Sequence, residues 1–161
     1  MKPQITIRLA RSSDQAAVLE LIEKTGFFRP VELEIAREVF NDAAEMKPGC
    51  TYQSYVAEAD GKAAGWICFG ATPCTLGTFD IYWVAVDPVF QHKGVGTQLV
   101  QFTEKKAKMQ HGRLLAVETS GTQRYEPTRK FYEGLGFIPA ARVREFYAPG
   151  DDKCIYLKTL S

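Results

Sequence analysis

Val84-Ala85-Val86-Asp87-Pro88-Val89-Phe90-Gln91-His92-Lys93-Gly94-Val95-Gly96-Thr97-Gln98-Leu99 carries an apolar run into a helical pattern through a short polar loop. The run begins at Phe79 and stops at Asp87-Pro88. Gly94-x-Gly96 then opens a segment whose apolar residues Val95, Leu99 and Phe102 recur at helical spacing. A helix that starts this way leaves its first backbone N–H groups without intrahelical partners, and its dipole places roughly half a positive charge there. Together these make an anion site. The glycines let a phosphate approach the backbone, and Lys93 adds a cation. The loop is expected to hold a pyrophosphate.

Working outward, Ile5 to Leu9 alternates as a strand does. Ser12-Ser13-Asp14-Gln15 reads as a helix start, with Ser12 as cap and Gln15 in the capping-box position. Val18, Leu19 and Ile22 give that helix its buried stripe, and Gly26 ends it. Pro30 opens a second helix with Val31, Ile35, Val39 and Ala43 as its apolar face, broken by Pro48-Gly49. Tyr52 to Ala59 and Lys62 to Ala71 flank Asp60-Gly61, a hairpin signal. After the glycine loop, His111-Gly112 stops the helix and Leu114 to Thr119 is a strand. Pro127 and Gly136 bound another helix. Phe137 to Tyr147 and Cys154 to Leu160 form a last antiparallel pair joined near Pro149-Gly150-Asp151-Asp152. The order is β-α-α-β-β-β-α-β-α-β-β, a mixed α/β fold with helices on both faces and a parallel, right-handed strand-helix-strand unit at its centre.

At 161 residues the chain suits one domain, residues 1–161. A net charge of +1 argues against a nucleic-acid binder. No apolar run approaches the ~20 residues of a membrane span, and the N-terminus lacks the pattern of a signal peptide, so a cytoplasmic protein is expected. Cys50, Cys68, Cys74 and Cys154 form no Cys-x-x-Cys pair and lie at no metal-ligand spacing from His92 or His111, so reduced structural thiols and no metal are expected.

The loop lacks the Gly-x-x-x-x-Gly-Lys-Ser/Thr of nucleotide P-loops. It also lacks a dinucleotide fingerprint, because Leu99 stands at the third glycine and the loop follows the fourth strand. Gln91-x-x-Gly94-x-Gly96 does match the Gln/Arg-x-x-Gly-x-Gly/Ala signature. Downstream, Thr128-Arg129-Lys130-Phe131-Tyr132-Glu133-Gly134-Leu135-Gly136-Phe137 looks like the aromatic-Tyr and Gly-aromatic motif that accompanies it. With both motifs in order and the element sequence agreeing over nearly all the chain, the protein resembles the GNAT N-acetyltransferases, which bind acetyl-coenzyme A (acetyl-CoA).

The resemblance implies that the N–H groups of Gln91, His92, Lys93, Gly94, Val95, Gly96 and Thr97 cradle the pyrophosphate. It implies that the pantetheine arm pairs with the preceding strand around Val84, Ala85 and Val86, which diverges from the Leu114–Thr119 strand. An acetyl group then passes directly to an amine. Tyr132 aligns with the family's general acid, and a phenol near pKa ~10 is protonated at neutral pH; its alternative is core packing. Asp80 matches a glutamate that serves as base in some members. By period two it shares a strand face with Tyr82, Val84 and Val86. Glu118 is its rival, and a water chain is the third option. His92 reads as a loop residue beside phosphate. Arg129 and Lys130 either meet the cofactor's phosphates or form a solvated face. Where many members have an asparagine, this chain has Tyr125; Thr119, Ser120 or Tyr125 itself is the expected substitute contact.

Phe27, Phe28, Arg29, Trp66, Tyr82, Trp83 and Phe146 are candidate lining for the acceptor, a small-molecule or peptide amine, with core packing as their alternative. Arg29 or Arg144 suits a substrate carboxylate. The C-terminal strands are the expected place for a homodimer contact. A non-catalytic acetyl-CoA sensor or scaffold would share the same loop.

Overall fold

The computed structural model describes residues 3–161. Seven strands form one sheet: β1 (Ile5–Leu9), β2 (Gln53–Ala59), β3 (Lys62–Ala71), β4 (Thr78–Val86), β5 (Leu114–Ser120), β6 (Ile138–Ala148) and β7 (Asp151–Thr159), ordered β1-β2-β3-β4-β5-β7-β6. All neighbours are antiparallel except β4 and β5. The helices are α1 (Gln15–Thr25), α2 (Pro30–Ala44), α3 (Val95–Met109) and α4 (Glu126–Gly134).

Each face of the sheet carries its own core. Val95, Leu99, Val100 and Ala107 of α3 and Tyr132 of α4 pack on Ile67, Phe69, Phe79, Ile81, Leu115 and Val117. On the opposite face Val18, Leu21 and Ile22 of α1 and Ala36 and Phe40 of α2 pack on Val56, Trp66, Cys68 and Ala85. Full burial of each large aliphatic or aromatic side chain contributes about 1.5–3 kcal/mol. Gly65 lets α3 lie directly on β3: a Cβ there would stand 3.0 Å from the Ala85 carbonyl and from Leu99 and Val95 side chains.

Some local expectations are corrected. Ser12 does not cap α1. A single turn over Ser12–Asp14 intervenes, and the Asp14 carboxylate, anchored by Arg8, accepts the Arg11 N–H at 2.8 Å. A carboxylate already fixed in place outcompetes a serine hydroxyl as acceptor. The stripe Val31–Ile35–Val39–Ala43 is not the packed face of α2: Val31 and Ile35 are exposed, while Ala36 and Phe40 are buried beside Leu33 and Val39. Two apolar rows ran along α2, and the row carrying the large Phe40 won the core. β7 starts at Asp151 rather than Cys154, shortening its turn to Pro149-Gly150. β6 is an edge strand exposed along its whole length.

Candidate active site

The loop between β4 and α3 is built as an anion cradle. Asp87 Oδ1 accepts the Val89 N–H at 2.9 Å and fixes a tight turn over Pro88–Phe90. Gly94, at φ +88°, caps α3 in a left-handed conformation that a side chain would strain. The first backbone bond into α3 is Gln98 N–H to Gly94 carbonyl, at 3.0 Å. Among the described residues, no N–H from His92 through Thr97 has a backbone acceptor. Gln91 departs from the expected set: its N–H bonds the Pro88 carbonyl at 3.4 Å, and its Nε2 donates to the Val86 carbonyl at 3.2 Å. It holds the loop against the strand, leaving the cradle to residues 92–97. His92 and Lys93 are exposed in it, with the Lys93 ammonium 5.5 Å from the Phe90 ring centre.

Beside this loop the sheet opens. β4 and β5 pair only from Thr78↔Leu114 to Ile81↔Val117. At that point β4 bulges: Phe69 faces Ile81 and Cys68 faces Trp83, leaving Tyr82 as an extra residue. A bulge bends and twists its strand, which separates β4 from β5. The β4 edge from Trp83 to Val86 that turns away from β3 therefore has no strand partner. The bulge also overturns the expected common face. Val84 and Val86 pack with the α3–α4 core, whereas Asp80, opposite Gly70, lies on the face of Trp83 and Ala85. One inserted residue reverses the alternation.

Tyr132 is 3% exposed in the α3–α4 core, its ring 5.3 Å from that of Phe131 and 5.5 Å from that of Phe137. Its hydroxyl has no hydrogen-bond partner, and no fully enclosed side-chain polar atom lacks one, among the described residues. The hydroxyl is therefore not wholly enclosed by protein. Burial pushes its pKa well above the ordinary phenol value, so it is protonated throughout the physiological range. Gly96 lets this helix pair close up: a Cβ there would stand 3.3 Å from the Phe131 ring.

Asp80 accepts a 2.5 Å hydrogen bond from Thr72 Oγ1. Glu118 follows Val117, the last residue of β5 paired with β4; it faces the same side as Asp80 and is bound to Lys153 at 2.9 Å. Aromatic residues flank both. Tyr82, beside Asp80, is pushed up to about 12 by burial and then by the Asp80 charge. Tyr147, near Glu118, is likewise pushed up to about 12, burial again leading.

Other expected contacts are committed elsewhere. Arg129 Nη1 donates to the Ser120 and Thr122 carbonyls at 2.7 and 2.8 Å, and Lys130 pairs with Glu126 along α4. Tyr125 Oη donates to the Phe27 carbonyl at 3.3 Å, on the α1–α2 loop. Ser120 Oγ donates to Asp151 at 2.5 Å; Thr119 is buried in β5 beside Cys154 of β7. Trp66 is core, fully buried with Nε1 bonded to Ser54 Oγ at 2.8 Å. Tyr82 and Phe146 remain exposed, and Arg29 is tied to Glu32. No sequence motif marks Thr72, Arg124 or Lys153: Thr72 meets Asp80 across the connection of β3 to β4, and the partners of Arg124 and Lys153 lie on distant segments.

A family model described as "Acetyltransferase (GNAT) domain" matches residues 51–139. The chain is 25% identical over 150 residues to an S-(2-succino)cysteine N-acetyltransferase from Bacillus subtilis, covering 86% of each. It superposes on the crystal structure of a GNAT-family protein from Desulfovibrio desulfuricans with a TM-score of 0.93 and 39% identity, over 98% of this chain and all of that one. A Salmonella typhimurium protein solved with acetyl-CoA shares the fold at a TM-score of 0.76 and 19% identity, covering 98% of this chain and 95% of its own. The chain belongs to the GNAT acetyltransferase family, and it is an acyltransferase. No helix among the described residues is long and apolar enough to cross a membrane.

Proposed function

We propose that this chain, acting as one domain over residues 1–161, moves the acetyl group of acetyl-CoA directly onto a primary amine of a small molecule or peptide. The observation that carries this is the unpartnered N–H cradle, His92 to Thr97, beside a gap with Tyr132 on one face and Asp80 on the other. The cradle fits the pyrophosphate of coenzyme A, and the free edge of β4 at Val84, Ala85 and Val86 fits its amide-bearing arm as an added strand. When bound, the co-substrate supplies the acetyl group as a thioester.

Tyr132 Oη donates its proton where the sulfur departs. Asp80, oriented by Thr72, takes the proton from the attacking amine. Glu118, offset by Lys153, helps to hold the acceptor's positive charge. A scaffold without catalysis would need the cradle but not a proton donor and an acceptor placed on opposite sides of the gap.

The Bacillus subtilis relative acts, by its name, on a cysteine derivative, so amino-acid amines come first among acceptors. Four free thiols suit a reducing cytoplasm. A second copy would meet the chain at exposed β6, where bulges near Pro139 and after Val143 hinder simple strand addition.

The test is an acceptor screen across amino acids, peptides and polyamines with acetyl-CoA, followed by thiol release and product mass. An acetylated amine is expected. Binding of acetyl-CoA without any product would favour the scaffold, and no binding would sink both.

A further inference from the structure

Two consecutive side chains on the turn before α4 reach the loop between α1 and α2, 98 residues away in sequence. The Arg124 guanidinium donates to the Gly26 carbonyl and lies 4.6 Å from the centre of the Phe27 ring. Tyr125 Oη donates to the Phe27 carbonyl at 3.3 Å, and the two rings meet edge-on at 5.1 Å. At the other end of the loop, Phe28 packs against Trp83 at 5.2 Å. Trp83 lies just past Ile81, the last residue of β4 paired with β5; Arg124 and Tyr125 lie just past the end of β5. The loop thus spans the two strands where they have parted, on the face that carries Asp80 and Glu118.

We propose that Arg124 and Tyr125 are positioning residues that fasten Gly26–Arg29 as a strap across the acceptor end of the gap and keep bulk water from the acetyl carbonyl. The inference rests on the acetyltransferase reading. With the strap released, water attacks the thioester carbonyl and the C–S bond breaks. The products are acetate, coenzyme A thiol and a proton. Each lost hydrogen bond of ordinary strength, about 1 kcal/mol, raises the released population about fivefold.

Two readouts on Tyr125→Phe and on Arg124→Ala/Tyr125→Phe test this. The first is acrylamide quenching of tryptophan emission. Trp66 is fully buried and bonded to Ser54, so a change reports Trp83. The second is hydrolysis of acetyl-CoA with no amine present. Quenching is expected to rise and hydrolysis to increase about fivefold in Tyr125→Phe, and further in the double variant, with acetyl-CoA affinity retained. Unchanged quenching overturns the strap, as does increased quenching with unchanged hydrolysis. Weakened acetyl-CoA binding would return Tyr125 to the cofactor and also overturn it. A wild type that does not bind acetyl-CoA overturns the acetyltransferase reading instead, and quenching then still decides whether these residues hold the loop. Should the double variant fail to fold, Tyr125→Phe, which keeps the ring, decides alone.

Discussion

Tyr132 and Asp80 lie on opposite faces of one sheet, flanking the point where Ile81 makes the last pairing of β4 with β5. As the proposed proton donor and proton acceptor, they stand on the two sides of a gap, which matches a transfer in which one group enters and another leaves. Tyr132→Phe removes the donor and keeps the ring. Turnover should fall about a hundredfold, the lower end of what a positioned acid contributes. The hydroxyl makes no protein hydrogen bond, so the melting temperature should hardly move. An unchanged rate would remove Tyr132 from the chemistry.

Asp80→Asn removes the proposed proton acceptor and keeps its size, so turnover should fall about a hundredfold, the lower end of what a positioned base contributes. Thr72→Val removes the hydroxyl that orients the carboxylate. Turnover should drop about fivefold, the worth of one hydrogen bond, and Thr72→Ser should restore it. A turnover rate in Asp80→Asn that matches wild type would pass the base to Glu118 or to water.

At Gly94, φ +88° places the loop N–H groups. Gly94→Val forces a β-branched residue into a left-handed backbone, at a cost of roughly 1–2 kcal/mol, or turns those groups away. Isothermal titration should show acetyl-CoA affinity weakened at least tenfold, about 1.4 kcal/mol. Retained affinity would refute the cradle.

Acetyl-CoA at about 100 times its Kd should stabilise the fold by ~2.7 kcal/mol. For a chain of this size that is a rise of roughly 5–10 °C in melting temperature, measurable by scanning calorimetry. No rise at millimolar ligand would contradict binding.

The Asp14 carboxyl is held below the usual range chiefly by its hydrogen bonds from Arg8, at 2.8 Å. A depressed folded-state pKa stabilises the fold above the ordinary carboxylate pKa, and that stability is lost as pH falls through the folded value. Asp14→Asn should therefore cost about 1 kcal/mol at pH 7, a modest figure because the pair is partly solvated. In urea titrations the gap between variant and wild type should close as pH drops below about 4. A gap independent of pH would show that the pair does not titrate with folding.

The hairpin at Asp60-Gly61, the end of β4 before Asp87-Pro88 and the left-handed turn at Gly94 were readable because glycine and proline mark backbone conformations locally. The bulge at Tyr82 was not. An extra residue leaves no mark in composition, yet it moved Asp80 to the other face from Val84 and Val86. Nor could the chain order show that Arg129 serves two carbonyls or that Tyr125 serves Phe27, because side-chain partners depend on how distant segments meet. On α2 both apolar rows had helical spacing, and only the tertiary fit of Phe40 chose between them.

The unpaired edge of β4 also sets a local stability. Amides between Trp83 and Val86 that face β3 are locked in a ladder, while those facing the gap have solvent as their partner. Hydrogen exchange along this short segment should therefore alternate between slow and fast from one residue to the next. The fast set is the one a ligand arm would quench. On the proposed reading, an arm bound there completes a sheet that the polypeptide leaves unfinished, so part of the affinity for coenzyme A would be, in effect, folding energy.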